Sequence, residues 1–391
     1  MSVTAAAGFS ANGLHCGIKP NGDHDLSTVF AASSVPTAAV FTTSLTAAPP
    51  VRLSQKRVAG GRARAVIANS GSANAGTGAA GYRDAEDMSV DLARALGCMP
   101  QEVLVCSTGP IGGRLPINDI ARAVPDLVAG AGSTPEHGTR AARGIMTTDS
   151  VPKEAVVSRN GVTLGGMAKG AGMIRPDMAT MLAFVTTDAL VPAAGAHNTG
   201  PLGDMLVRAT ARTFNALNID GCQSTNDTVT LMASGESGVV LDPRELESML
   251  IEVCEDLALQ MAADAEGASK VVTIMVFGAA SDADARQVGM GVADSSLVRS
   301  SFYGADPNWG RVLGALGVTG VALDVDDVDI AYEGTTVARG GVGVGVDEDQ
   351  LSARLRGDFT LAIRIGSGPG AARIITTDLT PDYVVFNGER S

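Results

Sequence analysis

Gly165-Gly166-Met167-Ala168-Lys169-Gly170-Ala171-Gly172-Met173-Ile174-Arg175-Pro176-Asp177-Met178-Ala179-Thr180, followed by Met181-Leu182-Ala183-Phe184-Val185-Thr186-Thr187-Asp188-Ala189, joins two halves of opposite character. The first is rich in glycine and carries a proline, so it tolerates positive φ angles but supports no regular element. The second, residues 181–187, is short, apolar and full of strand formers, which predicts a buried strand. Thr180 stands at the junction, behind small Ala179 and downstream of Lys169.

A threonine at the mouth of a buried strand suggests a specific chemistry. Its hydroxyl could attack the Ala179 carbonyl, form an ester, and be released by water as a new N-terminal residue. The freed α-amine, with a pKa of about 7.7–8.0, could then serve as general base for its own hydroxyl. The alternative is an ordinary loop feeding a core strand, and the pattern alone favours that simpler reading.

A resemblance reverses the balance. Lys-Gly-x-Gly-Met-Ile-x-Pro-x-Met-Ala-Thr-Met-Leu, residues 169–182 here, resembles the self-processing signature of the ornithine acetyltransferase family, the glutamate N-acetyltransferases that are the bifunctional proteins of arginine biosynthesis. Further matches run along nearly the whole chain. The resemblance implies cleavage between Ala179 and Thr180, with Thr180 as nucleophile. It further implies an α/β fold, a layered helix-sheet-sheet-helix sandwich of the N-terminal-nucleophile type with a C-terminal α+β subdomain.

The rest of the chain fits this frame. At 45% hydrophobic but 4% aromatic, with 48 glycines, the core must be filled by small aliphatic side chains. A net charge of −13 speaks against a nucleic-acid partner, which would require a basic footprint. Only five lysines occur, Lys19, Lys56, Lys153, Lys169 and Lys270, so Lys169 in the glycine-rich approach stands out. The five cysteines are odd in number and form no C-x-x-C pair, as expected of free thiols in a reducing compartment. There is no signal-peptide pattern and no apolar run of membrane-spanning length, so the expectation is a cytoplasmic protein without a membrane partner.

Short strands are expected over residues 14–18, 26–32 and 38–43. Residues 65–69 predict another strand, and Gly76-Thr77-Gly78-Ala79-Ala80-Gly81 then matches G-x-G-x-x-G ahead of a helix over 83–96. A dinucleotide site would put the first glycine directly after the strand, whereas residues 70–75 intervene. The family pattern here retains Asn69, Gly71, Ala73, Asn74 and Ala75, but Gly76 replaces its usual cysteine, so no catalytic role rests on a thiol there. Residues 102–106 predict a strand leading into Ser107-Thr108-Gly109-Pro110. A strand followed by small residues can bring N–H groups to an anionic oxygen, and the resemblance assigns Thr108 and Gly109 to the oxyanion hole. It also makes Thr147, in the Met-Thr-Thr-Asp run after a helical pattern, a substrate contact, as well as Lys169 and Thr180 themselves.

Residues 201–216 predict an amphipathic helix. Ser224-Thr225-Asn226-Asp227-Thr228 resembles a family motif near the active site but receives no role. Asp242, Pro243 and Glu245 predict a capping-box start for a helix with Leu246, Met249, Leu250, Val253 and Leu257 on its apolar face. That helix is expected to reach Ala265-Glu266-Gly267, with Gly267 as its left-handed cap. A carboxylate in a last helical turn opposes the dipole, and Glu266 is the residue the resemblance makes a substrate contact. A strand over 270–277 and an acidic helix start near Ser281 suggest a boundary. The segments expected are 1–179 as an α chain, 180–275 as the first part of a β chain, and 276–391 as its C-terminal subdomain. Asp324, Asp326, Asp327 and Asp329 do not fit a calcium loop, because Val328 occupies its position-five ligand slot and Asp329 its glycine slot. The C-terminal Asn387-Gly388-Glu389-Arg390-Ser391 departs from the family ending. Asn387 carries over as a substrate residue and Ser391 is a displaced candidate.

No metal or cofactor is required by these motifs. The implied reaction transfers acetyl from N2-acetylornithine to glutamate by a ping-pong scheme, in a heterotetramer of two α and two β chains cut from one precursor. Whether acetyl-CoA also donates is left open. Two other classes remain: an N-terminal-nucleophile aminopeptidase or amidase, and a nucleotide-binding protein built on the glycine motif.

Overall fold

A computed structural model describes residues 2–175, 181–191 and 200–389. The chain divides into two compact units. The first comprises residues 1–215 and 222–261, the second residues 216–221 and 262–391.

The first unit is built on strands β1 (Phe9–Leu14), β2 (Leu26–Phe41), β3 (Arg62–Ser70), β4 (Val103–Thr108), β5 (Lys153–Arg159), β6 (Val162–Lys169), β7 (Leu182–Thr187) and β9 (Thr228–Ala233); β8 (Leu217–Asn218) belongs to the second unit. Its helices are α1 (Pro49–Val58), α2 (Gly78–Leu96), α3 (Ile117–Ala129), α4 (Pro135–Ile145), α5 (Pro201–Arg212) and nearly all of α6 (Pro243–Ala263). The sheet order is β4-β3-β2-β9-β7-β6-β5, with β1 on the first half of β2.

Strand β2 organises this sheet. Two separate strands are expected from its sequence, because Ser33-Ser34 and Pro36 punctuate it. In the structure one 16-residue strand runs through, with a shift of register between Phe30 and Val35. Its first half pairs with β3 (Leu26↔Asn69) and its last residues pair with β9 (Phe41↔Thr228). Such irregularities bend a strand and sharpen its twist. The two halves share one apolar cluster, with Val29, Val66 and Leu104 from one half and Met167, Leu182 and Phe184 from the other. Behind β3 and β4, Ile67 and Val105 pack with Met88 and Leu92 of α2 and with Ile120 and Val124 of α3. Beyond the other half lies α6, whose Gln260 exchanges hydrogen bonds with the Glu154 backbone of β5 at 3.0 and 3.2 Å. The result is the expected helix-sheet-sheet-helix layering, and its core side chains are small, as the composition requires.

The apolar face of α6 is as expected: Leu246, Met249, Leu250, Val253 and Leu257 are all buried. Its ends differ from expectation. Asp242 accepts the Arg244 N–H, but the Glu245 carboxylate takes Asn160 instead of closing a capping box. The helix stops at Ala263, ahead of the expected Gly267 cap.

The second unit holds β10 (Val271–Ala279), β11 (Asp329–Tyr332), β12 (Thr335–Arg339), β13 (Val342–Gly343), β14 (Phe359–Arg364) and β15 (Gly370–Thr377), in the order β13-β12-β11-β14-β10-β15-β8. Helices α7 (Asp282–Asp294), α8 (Ser296–Tyr303), α9 (Trp309–Leu316), α10 (Glu348–Arg354) and α11 (Pro381–Gly388) complete it. Its core gathers Val272, Ile274 and Val276 of β10 with Val288 and Val292 of α7 and Phe302 of α8. No helix among the described residues is long and apolar enough to cross a membrane.

Candidate active site

In the first unit, the strand ends named by the sequence meet along one edge. Lys169 closes β6 and pairs with Leu182, the first residue of β7. Strand β7 runs parallel to β9, Leu182 opposite Thr228. Ala179 and Thr180, the expected scissile pair, lie outside the described residues, as does Ser391.

Lys169 is 1% exposed, and its Nζ donates to Thr147 Oγ1 at 3.0 Å. Two expected substrate contacts are thus in direct contact. Thr147 follows the end of α4, where the chain turns at a buried carboxylate. Asp149 accepts the Thr147 N–H at 2.9 Å on one oxygen, and Lys153 Nζ at 2.6 Å with the Gly170 N–H at 2.7 Å on the other. Burial alone would raise its pKa, but the charges of Lys169 and Lys153 and the Gly170 N–H outweigh it, and the carboxyl is held below its usual range. Asp149 therefore anchors the Thr147 turn to the end of β6, and with it the ammonium that can meet a substrate carboxylate. A cavity of about 660 Å³ opens here, lined by Thr147, Asp149, Lys19 and exposed Arg143. Lys19 Nζ donates to the carbonyls of His24 and Met146 at 2.7 and 2.8 Å. Asp149, Lys153 and Lys19 were not singled out as site residues. The scarcity of lysine was the available signal, since three of five lysines gather here.

Thr108 ends β4, 3% exposed, and bridges back to Ser72. Gly109 has φ +134°, and a Cβ there would lie 2.5 Å from the Ser72 nitrogen. Only glycine fits, because the following loop lies directly on residues 71–75, with Ala73 N–H on the Pro110 carbonyl and Gly112 N–H on that of Ala75. Cys106, two residues before Thr108, is fully buried and its thiol is pushed up to about 12, so it offers no competing thiolate. The glycine motif at 76–81 opens α2, but Thr77 and Asn74 crowd against Gly81 and hydrogen-bond each other at 2.8 Å. The motif is an internally bonded loop and helix start.

In the second unit, Glu266 and Asn387 come together across 121 residues of sequence: Asn387 Nδ2 donates to Glu266 Oε2 at 3.2 Å. Asn387 is exposed and Glu266 half-buried. Asn387 rides on α11, whose N-cap Thr380 also donates to the Gly267 carbonyl. Gly267, at φ +65°, leaves room for the start of α11, since a Cβ would lie 2.4 Å from the Tyr383 nitrogen. Glu266 sits in this turn, beyond the end of α6, so the expected conflict with a helix dipole does not arise. Its half-exposed carboxylate is nonetheless a ready acceptor for an ammonium.

Comparisons with known proteins cover the whole chain. The family model described as ArgJ family matches residues 10–391. The chain is 46% identical over 392 residues to the arginine biosynthesis bifunctional protein ArgJ of Thermobifida fusca (strain YX), covering 100% of each. It is 46% identical over 396 residues to the protein of that name from Mycobacterium leprae (strain TN), covering 100% of this chain and 95% of the other. The crystal structure of an arginine biosynthesis bifunctional protein argJ from Bacillus halodurans superposes with TM-score 0.50 at 36% identity, over 53% of this chain and 98% of that one. Since the match spans both units and every site residue named above, the chain belongs to the ArgJ family.

Proposed function

We propose that this chain is a glutamate N-acetyltransferase of arginine biosynthesis, moving acetyl from N2-acetylornithine to glutamate through an acetyl ester on Thr180. The observation that carries the reading is the Thr147–Lys169 hydrogen bond at the strand end leading into the processing stretch, in a chain whose ArgJ match is full length. Cleavage between Ala179 and Thr180 turns residues 1–179 into an α chain and 180–391 into a β chain, assembled two and two.

Each step follows from group chemistry. The α-amine of Thr180 takes the hydroxyl proton as Oγ1 attacks the acetyl carbonyl. Thr108 and Gly109 stabilise the tetrahedral oxygen. The C–N bond of acetylornithine breaks, ornithine leaves with the proton, and the amine of glutamate later takes the acetyl from the ester. Lys169 offers its ammonium to a substrate carboxylate, and Glu266 with Asn387 receives the ornithine side chain. The word bifunctional in the relatives' names supports acetyl-CoA as a second donor to the same threonine. Five free thiols suit a cytoplasmic setting.

Intact mass under denaturing conditions tests the reading. Active wild-type protein is expected as two polypeptides split between Ala179 and Thr180, and Thr180→Ala as one inactive chain. A single full-length polypeptide that transfers acetyl would overturn it.

A further inference from the structure

The run Ser224-Thr225-Asn226-Asp227-Thr228 takes no part in the steps above, yet its two central side chains are buried, Asn226 at 5% exposure and Asp227 at 0%. Asn226 Nδ2 donates to two carbonyls, Ser107 at 2.9 Å and Ala73 at 2.6 Å. Ser107 immediately precedes Thr108. Asp227 Oδ1 accepts the Met181 N–H at 2.7 Å. That nitrogen belongs to the peptide bond made by the carbonyl of Thr180. The Met181 carbonyl in turn accepts the Thr228 N–H at 3.2 Å.

We propose that Asn226 and Asp227 are positioning residues, a bracket that sets the spacing between the acetyl-bearing Thr180 and the Thr108–Gly109 oxyanion loop. The inference rests on the function proposed above for those residues. Apart from the bracket and the apolar cluster that the two halves share, the strand pairing between the two groups takes the long way round. Strand β4 joins β2 through β3, and β7 joins β2 through β9, on opposite sides of the register shift in β2. Small changes of twist along that path would add up at its ends. Neighbouring residues 226 and 227 tie the two ends directly, each one residue from the group it places.

The hydrogen-bonding demands of the two positions are opposite. Both targets of Asn226 are carbonyls, so that position needs an N–H₂ group and a carboxylate cannot replace it. Asp227 is met by donors, the Met181 N–H and the Ser224 hydroxyl, so that position needs only an acceptor. Its other oxygen, Oδ2, is buried with no hydrogen-bond partner among the described residues. Burial pushes this carboxyl well above its usual range, and the Met181 N–H and the Lys169 charge offset that only in part. An amide keeps the oxygen that accepts the Met181 N–H, so it is an adequate substitute at 227.

Two near-isosteric exchanges thus have opposite expected outcomes. In the full-length protein, Asn226→Asp and Asp227→Ala should lower kcat about 100-fold, the cost of a displacement of about 1 Å, with KM for N2-acetylornithine little changed. Asp227→Asn should stay within about threefold of wild type, since it keeps the acceptor. A merely structural role would lower the yield of folded protein without splitting kcat from KM. Asp227→Asn as impaired as Asp227→Ala, or Asn226→Asp with wild-type turnover, would overturn the bracket. If the two damaging variants do not fold, Asn226→Gln carries the test: it keeps the donors one methylene further out, and an unchanged kcat overturns the proposal. Thr180→Ala and wild type run alongside. A wild type that cannot transfer acetyl overturns the proposed function and the bracket together, whereas an active wild type with unaffected bracket variants overturns the bracket alone.

Discussion

Among the buried carboxyl groups of the first unit, Asp149 in the turn at residues 147–153 and Asp227 in the run 224–228 have their pKa values moved in opposite directions. Asp149 faces two lysines and receives two backbone N–H groups, and it stays ionised. Asp227 accepts the Met181 N–H, a hydrogen bond from Ser224 and the influence of the Lys169 charge, yet burial prevails and its pKa is raised. Burial alone therefore does not set the direction in which an acidic pKa moves here; the cations and N–H donors within reach decide it. Asp149 holds the Thr147 turn and the lysines beside it, and Asp227 holds the backbone at Met181.

The largest effect that would break the comparison is at Asp149. Asp149→Ala removes the carboxylate that Lys153, Thr147 N–H and Gly170 N–H all contact, inside a site where Lys153 is 0% exposed. Breaking a buried pair in this way costs about 3–5 kcal/mol, read as a lower midpoint in urea unfolding. A loss below about 1 kcal/mol would mean the pair is solvated in solution.

An intermediate effect distinguishes the two acids by pH. The folded-state pKa of Asp149 is depressed, so its contribution is present above the usual carboxylate range and disappears as pH falls below about 4. That of Asp227 is raised, so its contribution is complete at low pH and declines as pH rises toward the folded value. Melting temperatures from pH 3 to 9 should show Asp149→Asn losing part of the wild-type acid sensitivity. Asp227→Asn should gain on wild type as pH rises. The same pH dependence in both variants would erase the distinction.

The smallest effect on stability belongs to Glu266, a half-exposed carboxylate in the second unit. Glu266→Gln should leave the melting temperature unchanged, because the residue lies in a turn beyond α6 and opposes no helix dipole. In single-turnover assays it should weaken acetylation by N2-acetylornithine more than deacetylation by glutamate, which carries no side-chain ammonium. Equal losses in both halves would replace the binding role with an acid–base one.

The periodic elements were legible in the sequence because their apolar spacing is local: the buried face of α6 and the strand at 182–187 follow from it directly. What was not legible depends on partners distant in the chain. The Ser33-Ser34 and Pro36 punctuation suggested two strands, but pairing to both β3 and β9 carries β2 through it. Glu245 was expected to serve its own helix, and Asn160 claims it. Lysine scarcity marks Lys169, and the resemblance names Thr147, Glu266 and Asn387, but the Thr147–Lys169 and Glu266–Asn387 contacts are not legible, since nothing within each short motif says that the other is near. Asn226 and Asp227 read as turn formers because their side chains commonly bond local backbone. Here they reach instead to residues far away in sequence.

The strand order also bears on how the protein is made and lost. If the chain is cut before Thr180, β2 and β6 fall on one polypeptide and β7 and β9 on the other. Within the sheet β9 and β7 lie side by side between β2 and β6. The precursor closes this weave as a single chain, a first-order event. Once cut and fully unfolded, the same weave would require two separate chains to meet and interleave, a step that slows with dilution. Processing would thus make assembly a one-way passage: the enzyme folds once, before it is active, and its working lifetime is set by how slowly it opens.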